Sequence, residues 1–294
     1  MRAFHVTSTA PARTYYGRPG RQAFRLEDFE ILTTILSALE WRRHNGPIKL
    51  YTDTIGAEYY AQLNLSTLWD AGIDTETLDQ CDLKTSPTVF WAFARTVALG
   101  RERCPCVLLD TDLIVWRNIT ALIRTPFMAI HSEPLAFGVY VEKERLHTPP
   151  GYIWDDDWDW TAPPLNAALL YFGRDDLREY CVTKGLEFMR NNRLEEPGGP
   201  AHAVFVEQRL YPMCARKLGL DPTFFLQNYQ GKRLADGTEN TIFTHLWLYK
   251  TQLMHNRDER QSLCRRMAQR IVRDFPAFGD VLSTIVPVRP YLHS

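Results

Sequence analysis

Short apolar runs and longer stretches with helical spacing alternate along this chain. Residues 2–7 open the pattern as a strand, closed by the Thr/Ser/Pro-rich turn from Thr7 to Pro11. From about Leu26 to His44, Phe29, Leu32, Ile35, Leu36 and Leu39 recur at three- and four-residue steps, which places them on one stripe of a helix. Glu27 and Asp28 at its start and Arg42, Arg43 and His44 at its end complement the helix dipole, and Asn45-Gly46-Pro47 stops it. Ile48-Lys49-Leu50-Tyr51-Thr52 then reads as a second strand. Strand, helix, strand is a βαβ unit, so a parallel sheet with a right-handed crossover is expected.

The alternation continues. A helix is expected over 54–64, a short strand and loop within 73–83, and a helix from Ser86 to about Leu99, with Ser86 as N-cap and Pro87 in the first turn. Val107 to Val115 is an apolar run interrupted only by Asp110-Thr111-Asp112, the pattern of a strand buried on both faces. Further strands are expected over 127–131, 165–172 and 241–245, and helices over 175–190, 204–217 and 258–275. Residues 132–164 are irregular, and within them Trp154-Asp155-Asp156-Asp157-Trp158-Asp159-Trp160 sets four acids among three tryptophans. Residues 12–25 form a basic loop around Arg13, Arg18, Arg21 and Arg25, and 195–200 a Pro/Gly loop. With no repeat and no low-complexity linker, the order argues for an α/β fold in one domain over 1–294, with an inserted loop region at about 132–164 and a C-terminal helix at about 258–275.

Composition narrows the function classes. A hydrophobic share of 45% and a charged share of 23% are those of an ordinary globular protein, and a net charge of -1 offers no field for nucleic acid. None of the six cysteines falls in a Cys-x-x-Cys pair, and Cys104-Pro105-Cys106 has no histidine nearby to complete a zinc set, so reduced thiols are expected. The first residues lack the apolar core of a signal peptide, and no apolar run is long enough to span a bilayer. These features suit a cytoplasmic protein. Six arginines between Arg257 and Arg273 give the last helix a positive excess, which suits either a solvated face or peripheral contact with the inner face of a bacterial membrane.

The candidate chemistry sits at Asp110 and Asp112. On an extended strand the two side chains point the same way, and two carboxylates held close in a dry place call for a cation. Two acids, with further positions left to water and phosphate, describe an Mn²⁺ or Mg²⁺ site. It lies at the carboxyl end of a strand, where open α/β sheets bind ligands.

Other elements bear on this pair: Arg95 on the helix before it, Asn166-Ala167-Ala168 opening a buried strand, Glu207-Gln208 on a later helix, and His245 with Lys250 at a late strand end. In this order the set resembles the GT-A glycosyltransferases, most closely the glycogenin-like and lipopolysaccharide glycosyltransferase branch. The resemblance implies a single GT-A, Rossmann-like domain with a mixed, mostly parallel sheet flanked by helices. It implies that Asp110, Asp112 and His245 hold the metal and that Lys250 contacts the diphosphate of a nucleotide-sugar donor, a UDP-sugar foremost. Arg95 would also contact the donor, Asn166 the donor sugar or a saccharide acceptor, and Thr7, with Ser8 and Thr9, would lie near the base. Glu207, or an acid within Asp155 to Asp159, would serve as general base on an acceptor hydroxyl. Two departures stand out: the late motif reads Leu-Trp-Leu-Tyr-Lys-Thr, without the family's Gly and Pro, and Asn-Ala-Ala replaces Asn-Ala-Gly.

Each residue also has an ordinary role: His245 as a core histidine, Lys250 on the surface, Arg95 snorkelling or pairing with an acid, Asn166 clamping a loop. A haloacid-dehalogenase-like phosphohydrolase also uses Asp-x-Asp after an apolar strand, but near the N-terminus and with Thr or Val where this chain has Ile114. A non-catalytic nucleotide- or sugar-binding relic of the fold is the third class.

Overall fold

The computed structural model describes residues 1–11, 24–81, 85–136, 138–190, 192–194, 200–226 and 242–292. Arg13, Arg18, Arg21, residues 195–199 of the Pro/Gly loop and Thr241 lie outside them. The strands, in chain order, are β1 (Arg2–Thr7), β2 (Ile48–Thr52), β3 (Ile73–Asp74), β4 (Cys106–Leu109), β5 (Leu113–Val115), β6 (Phe127–Ala129), β7 (Leu169–Phe172), β8 (Thr223–Phe224) and β9 (Phe243–His245). The main helices are α1 (Asp28–His44), α2 (Thr54–Gln62), α3 (Phe93–Leu99) and α4 (Asp175–Met189). They are followed by α5 (Ala201–Val204, Phe205–Leu210 and Tyr211–Lys217 run together), α6 (Tyr249–His255) and α7 (Arg257–Asp274).

Seven strands form one mixed sheet in the order β3-β2-β1-β4-β7-β6-β8, and β5 and β9 form a separate antiparallel pair. The pairs β3–β2, β2–β1, β1–β4 and β6–β8 are parallel, while β7 runs antiparallel to both neighbours. The α/β class and the mostly parallel mixed sheet are therefore as the sequence pattern leads one to expect. Alternate residues of each central strand enter different cores. Ala3, Val107, Leu109 and Leu169 pack with Leu32, Leu36, Met267 and Ile271 of α1 and α7. Phe4, Leu108, Leu170 and Phe172 pack with Phe93, Phe188, Phe205 and Leu210 on the opposite face. A sheet buried on both faces explains why its strands read as continuous apolar runs.

Four elements besides the 107–115 strand differ from the sequence expectation. The spacing in α1 predicts one apolar stripe, yet nearly every residue from Asp28 to Trp41 is buried. The cause is α7: Arg260 donates to Glu27 and Asp28 across the outer side of α1, and the Tyr291 hydroxyl donates to Asp28. The helix expected from Ser86 begins only at Phe93, although Phe90 N–H already bonds the Ser86 carbonyl at 3.0 Å. The strand expected over 165–172 makes one isolated bridge, Leu165 to Ser132, and pairs continuously only from Leu169, since the Asn166 side chain accepts the Ala168 N–H and turns the chain between them. The helix expected over 204–217 is interrupted by a π-helical stretch at Phe205–Leu210. Pro212 has no N–H to give the Gln208 carbonyl, and Leu165 N–H fills that carbonyl from outside the helix.

No described helix is long and apolar enough to cross a membrane. Two arginines of α7 are drawn inward, Arg260 onto Glu27 and Asp28 at the start of α1 and Arg270 over the Trp116 ring at 3.9 Å, while Arg273 stays exposed and pairs with Asp274.

A buried polar chain ties these layers together. Trp69 donates to Nδ1 of His5 at 3.2 Å, so the imidazole proton sits on Nε2, which faces the Ser37 hydroxyl at 3.0 Å; Ser37 in turn donates to the Leu113 carbonyl at 2.6 Å. His5 is fully buried, and desolvation lowers its pKa from 6.5 to about 3, only partly opposed by the charge of Asp112. The unfolded chain therefore takes up this proton first as pH falls, and stability is lost below about pH 6.5. Between pH 7 and pH 4 the wild-type chain is expected to lose about 3 kcal/mol more unfolding free energy than His5→Gln. Urea titrations at the two pH values measure the difference, and equal losses would contradict the buried neutral imidazole.

Candidate active site

A single extended strand over 107–115 would point Asp110 and Asp112 the same way, but the chain does not stay extended. It leaves the main sheet after Leu109, makes a turn through Asp110-Thr111-Asp112, with Leu113 N–H on the Asp110 carbonyl, and resumes as β5 in the second sheet. The two carboxylates converge because of this turn rather than through the strand pleat. Their shared partner arrives by strand pairing. In the β5–β9 register Leu113 lies opposite His245, and Leu246 N–H donates to the Asp112 carbonyl at 3.1 Å. The ligand atoms of Asp110, Asp112 and His245 all lie within 4.8 Å of one another. His245 is partly exposed, so it is no core histidine, and the Trp247 ring stacks on it at 6.1 Å and 9°.

The donor chemistry fits a divalent ion. Two carboxylate groups and one imidazole make a donor set for a divalent metal, and Asp110 and His245 are open enough to leave coordination positions to other ligands.

Two cations flank the pair. Lys250 Nζ lies 2.8 Å from one Asp112 oxygen, while the other faces His245 Nε2 at 3.6 Å. Burial works to raise the Asp112 carboxyl, yet the Lys250 ammonium and His245 hold it well below the usual carboxylate range. Arg95 is more tightly held. Its Nη1 pairs with Asp110, its Nε donates to Glu207 at 2.6 Å, and its Nη2 donates to the Ala167 carbonyl at 2.5 Å. Arg95 thus takes the acid-pairing role, with two acids, Asp110 and Glu207. Glu207 is buried on the π-helical stretch, and desolvation pushes its carboxyl up against the pull of Arg95.

Asn166 acts through the backbone around it. Its oxygen takes Ala168 N–H and its amide donates to Glu133 at 3.0 Å, so the loop-clamp role is realised. The clamp shapes a cradle: the Ala167 carbonyl receives Arg95, and the Ala168 carbonyl receives Asp110 N–H at 2.8 Å. Glu133 is buried, and Tyr140 donates to it while lying 2.6 Å from the Gln208 amide. Neither Glu133 nor Tyr140 stands out in the sequence, since both fall in the irregular region with no periodicity to mark them. Glu30, 3.9 Å from Lys250, was hidden in the same way on the face of α1 opposite its apolar stripe.

The other expected residues lie apart. Thr7 bonds the Tyr60 hydroxyl at 3.1 Å and Thr9 binds Asp53, while Ser8, Asp53, Asp79, Cys81 and Phe93 line a cavity of about 120 Å³ at the same end of β1 and β2. Asp155, Asp157 and Asp159 of the 155–159 acids are engaged elsewhere, Asp157 with Lys217. Asp155 takes Lys217 and the Tyr180 hydroxyl, and Asp159 takes Arg216. The tryptophans among them stack inward, Trp160 on Phe205 and Trp154 against Phe188, so they present an aromatic core rather than free faces for a sugar.

A family model described as a family of unknown function, DUF6734, matches residues 20–285. The chain belongs to the DUF6734 family. This DUF6734 protein matches no curated protein. Among solved structures it is similar to an active-site mutant of LgtC, with 13% identity, a TM-score of 0.38 and coverage of 83% of this chain and 86% of the other. It is similar to the glycosyltransferase GlyE of Streptococcus pneumoniae TIGR4, with 15% identity, a TM-score of 0.36, and coverage of 71% of this chain and 43% of that one. It is also similar to mouse xyloside xylosyltransferase 1 in its apo form, at 9% identity and a TM-score of 0.37, covering 76% and 84%.

The Arg95 hub has a measurable consequence. Arg95→Met strands a buried Glu207 carboxylate and is expected to cost about 3–5 kcal/mol of stability. Adding Glu207→Gln removes the stranded charge, so the double variant recovers part of that loss in urea unfolding. Losses that simply add, to within about 0.5 kcal/mol, would show that the two side chains are not coupled.

Proposed function

We propose that this DUF6734 protein is a metal-dependent glycosyltransferase that moves a sugar from a nucleotide diphosphate donor, a UDP-sugar first, to a hydroxyl of a saccharide or glycan. The observation that carries the reading is the meeting of Asp110, Asp112 and His245 at the carboxyl edge of the sheet, with Lys250 beside them. A strand-end Asp-x-Asp alone is common. One joined by a histidine from a distant strand and flanked by a lysine suits a diphosphate.

Asp110, Asp112 and His245 would hold the ion, which when bound supplies Lewis-acid neutralisation of charge growing on the departing phosphate oxygens. Lys250 adds a fixed positive charge on the same side. Arg95 keeps Asp110 and Glu207 at one guanidinium and so fixes their separation. Glu207, with its carboxyl raised by burial, is the general base proposed for the acceptor hydroxyl, and Asn166 keeps the cradle in shape for donor and acceptor. The Ser8–Asp53 cavity is the place proposed for the nucleoside, next to Thr7. Residues 1–294 are taken as one transferase domain, with 132–164 as the insert that walls the acceptor side.

Calorimetry tests the reading. UDP or GDP is expected to bind with Mn²⁺ and to lose that binding with EDTA or in Asp112→Asn. Nucleotide binding indifferent to metal, or metal-dependent phosphatase turnover without nucleotide affinity, would sink it.

A further inference from the structure

The two cations of the site are held differently. All three nitrogen positions of Arg95 are engaged, by Asp110, Glu207 and the Ala167 carbonyl, so its guanidinium is fixed. Lys250 has one close carboxylate oxygen, on Asp112 at 2.8 Å, and a more distant carboxylate, Glu30, at 3.9 Å. Its side chain is 36% exposed, whereas that of Asp112 is 11% exposed. The lysine side chain therefore contacts a buried acid and is itself partly open to solvent.

The backbone under Lys250 is rigid. Leu246 N–H is fixed to the Asp112 carbonyl, and Lys250 N–H is shared by the Leu246 and Trp247 carbonyls at 3.2 Å, so the backbone that carries the lysine is tied to the Asp110–Asp112 turn. Glu30 is set in place by the α1 capping box, where it receives Glu27 N–H at 3.0 Å.

We propose that Lys250 couples the two ligands of the site, acting as a built-in counter-ion of Asp112 that a nucleotide diphosphate draws away. This deepens the reading above and rests on it. With no phosphate present, the ammonium neutralises the Asp112 carboxylate that attracts a divalent ion and repels that ion directly. A diphosphate offers the ammonium a stronger partner on its exposed side, and Asp112 is then released to the metal. Metal ion and nucleotide therefore bind cooperatively, each tightening the other by the same factor.

The test measures Mn²⁺ binding from the free-ion electron paramagnetic resonance signal, with and without UDP, and UDP binding by calorimetry, with and without Mn²⁺. Wild type is compared with Lys250→Met and Lys250→Gln. The expected result is a pair of opposite shifts. Both variants bind Mn²⁺ alone about tenfold more tightly and bind UDP with Mn²⁺ more weakly, so that the coupling factor falls toward one. A lysine that only stabilised the local fold would weaken both. Mn²⁺ affinity that is unchanged or weaker in both variants, with metal-dependent UDP binding intact in wild type, overturns the coupling and leaves the transferase reading standing. Absence of metal-dependent UDP binding in wild type overturns the reading and the coupling together.

Discussion

The site depends on one backbone event, the departure of the chain from the main sheet between Leu109 and Leu113. β4 is the last strand in the parallel succession from β3, and β7 continues the sheet beyond it in the opposite direction. At the end of β4 the chain turns out through Asp110 and Asp112, and β5 then has an edge to offer β9. That pairing delivers His245 to Asp112 and starts the short segment that delivers Lys250. Without the turn the two acids would be strand residues with no route for a histidine from the far end of the chain.

Placing two carboxylates at that turn costs free energy that must be offset before any ligand arrives. Arg95 and Lys250 supply the opposite charge, one fixed and one with room to move. The π-helical stretch belongs to the same arrangement. Pro212 frees the Gln208 carbonyl for Leu165, which ties the start of the Asn166 loop to the helix that carries Glu207. A loop, a helix and a strand end are thus locked to one another through Asn166, Arg95 and Asp110.

Much of this was legible in the sequence, and the limits have a common cause. Elements set by local periodicity and caps, such as β1, β2, α1, α4 and α7, fall close to their expected bounds. Asp110, Asp112 and His245 were singled out from motif order and do converge. What was misread is non-local. The break at Thr111 exists because β9 offers a partner that no short window contains. The burial of α1 all round follows from α7, which lies more than two hundred residues further along the chain. Glu133 and Tyr140 meet Asn166 and Gln208 through loops without a repeat. The acids of 155–159, offered as alternatives to Glu207, give no local sign that Arg216 and Lys217 of α5 pair with Asp159, Asp155 and Asp157.

The central claim is that the turn at Asp110–Asp112 and the strand end at His245 together make one metal centre for a nucleotide diphosphate. Crystals soaked in Mn²⁺ and UDP, with diffraction data collected at the manganese absorption edge, test it most directly. The account predicts an anomalous peak coordinated by Asp110, Asp112 and His245, with the UDP phosphates on its open side next to Lys250. UDP bound elsewhere, or manganese bound away from these three side chains, would contradict it.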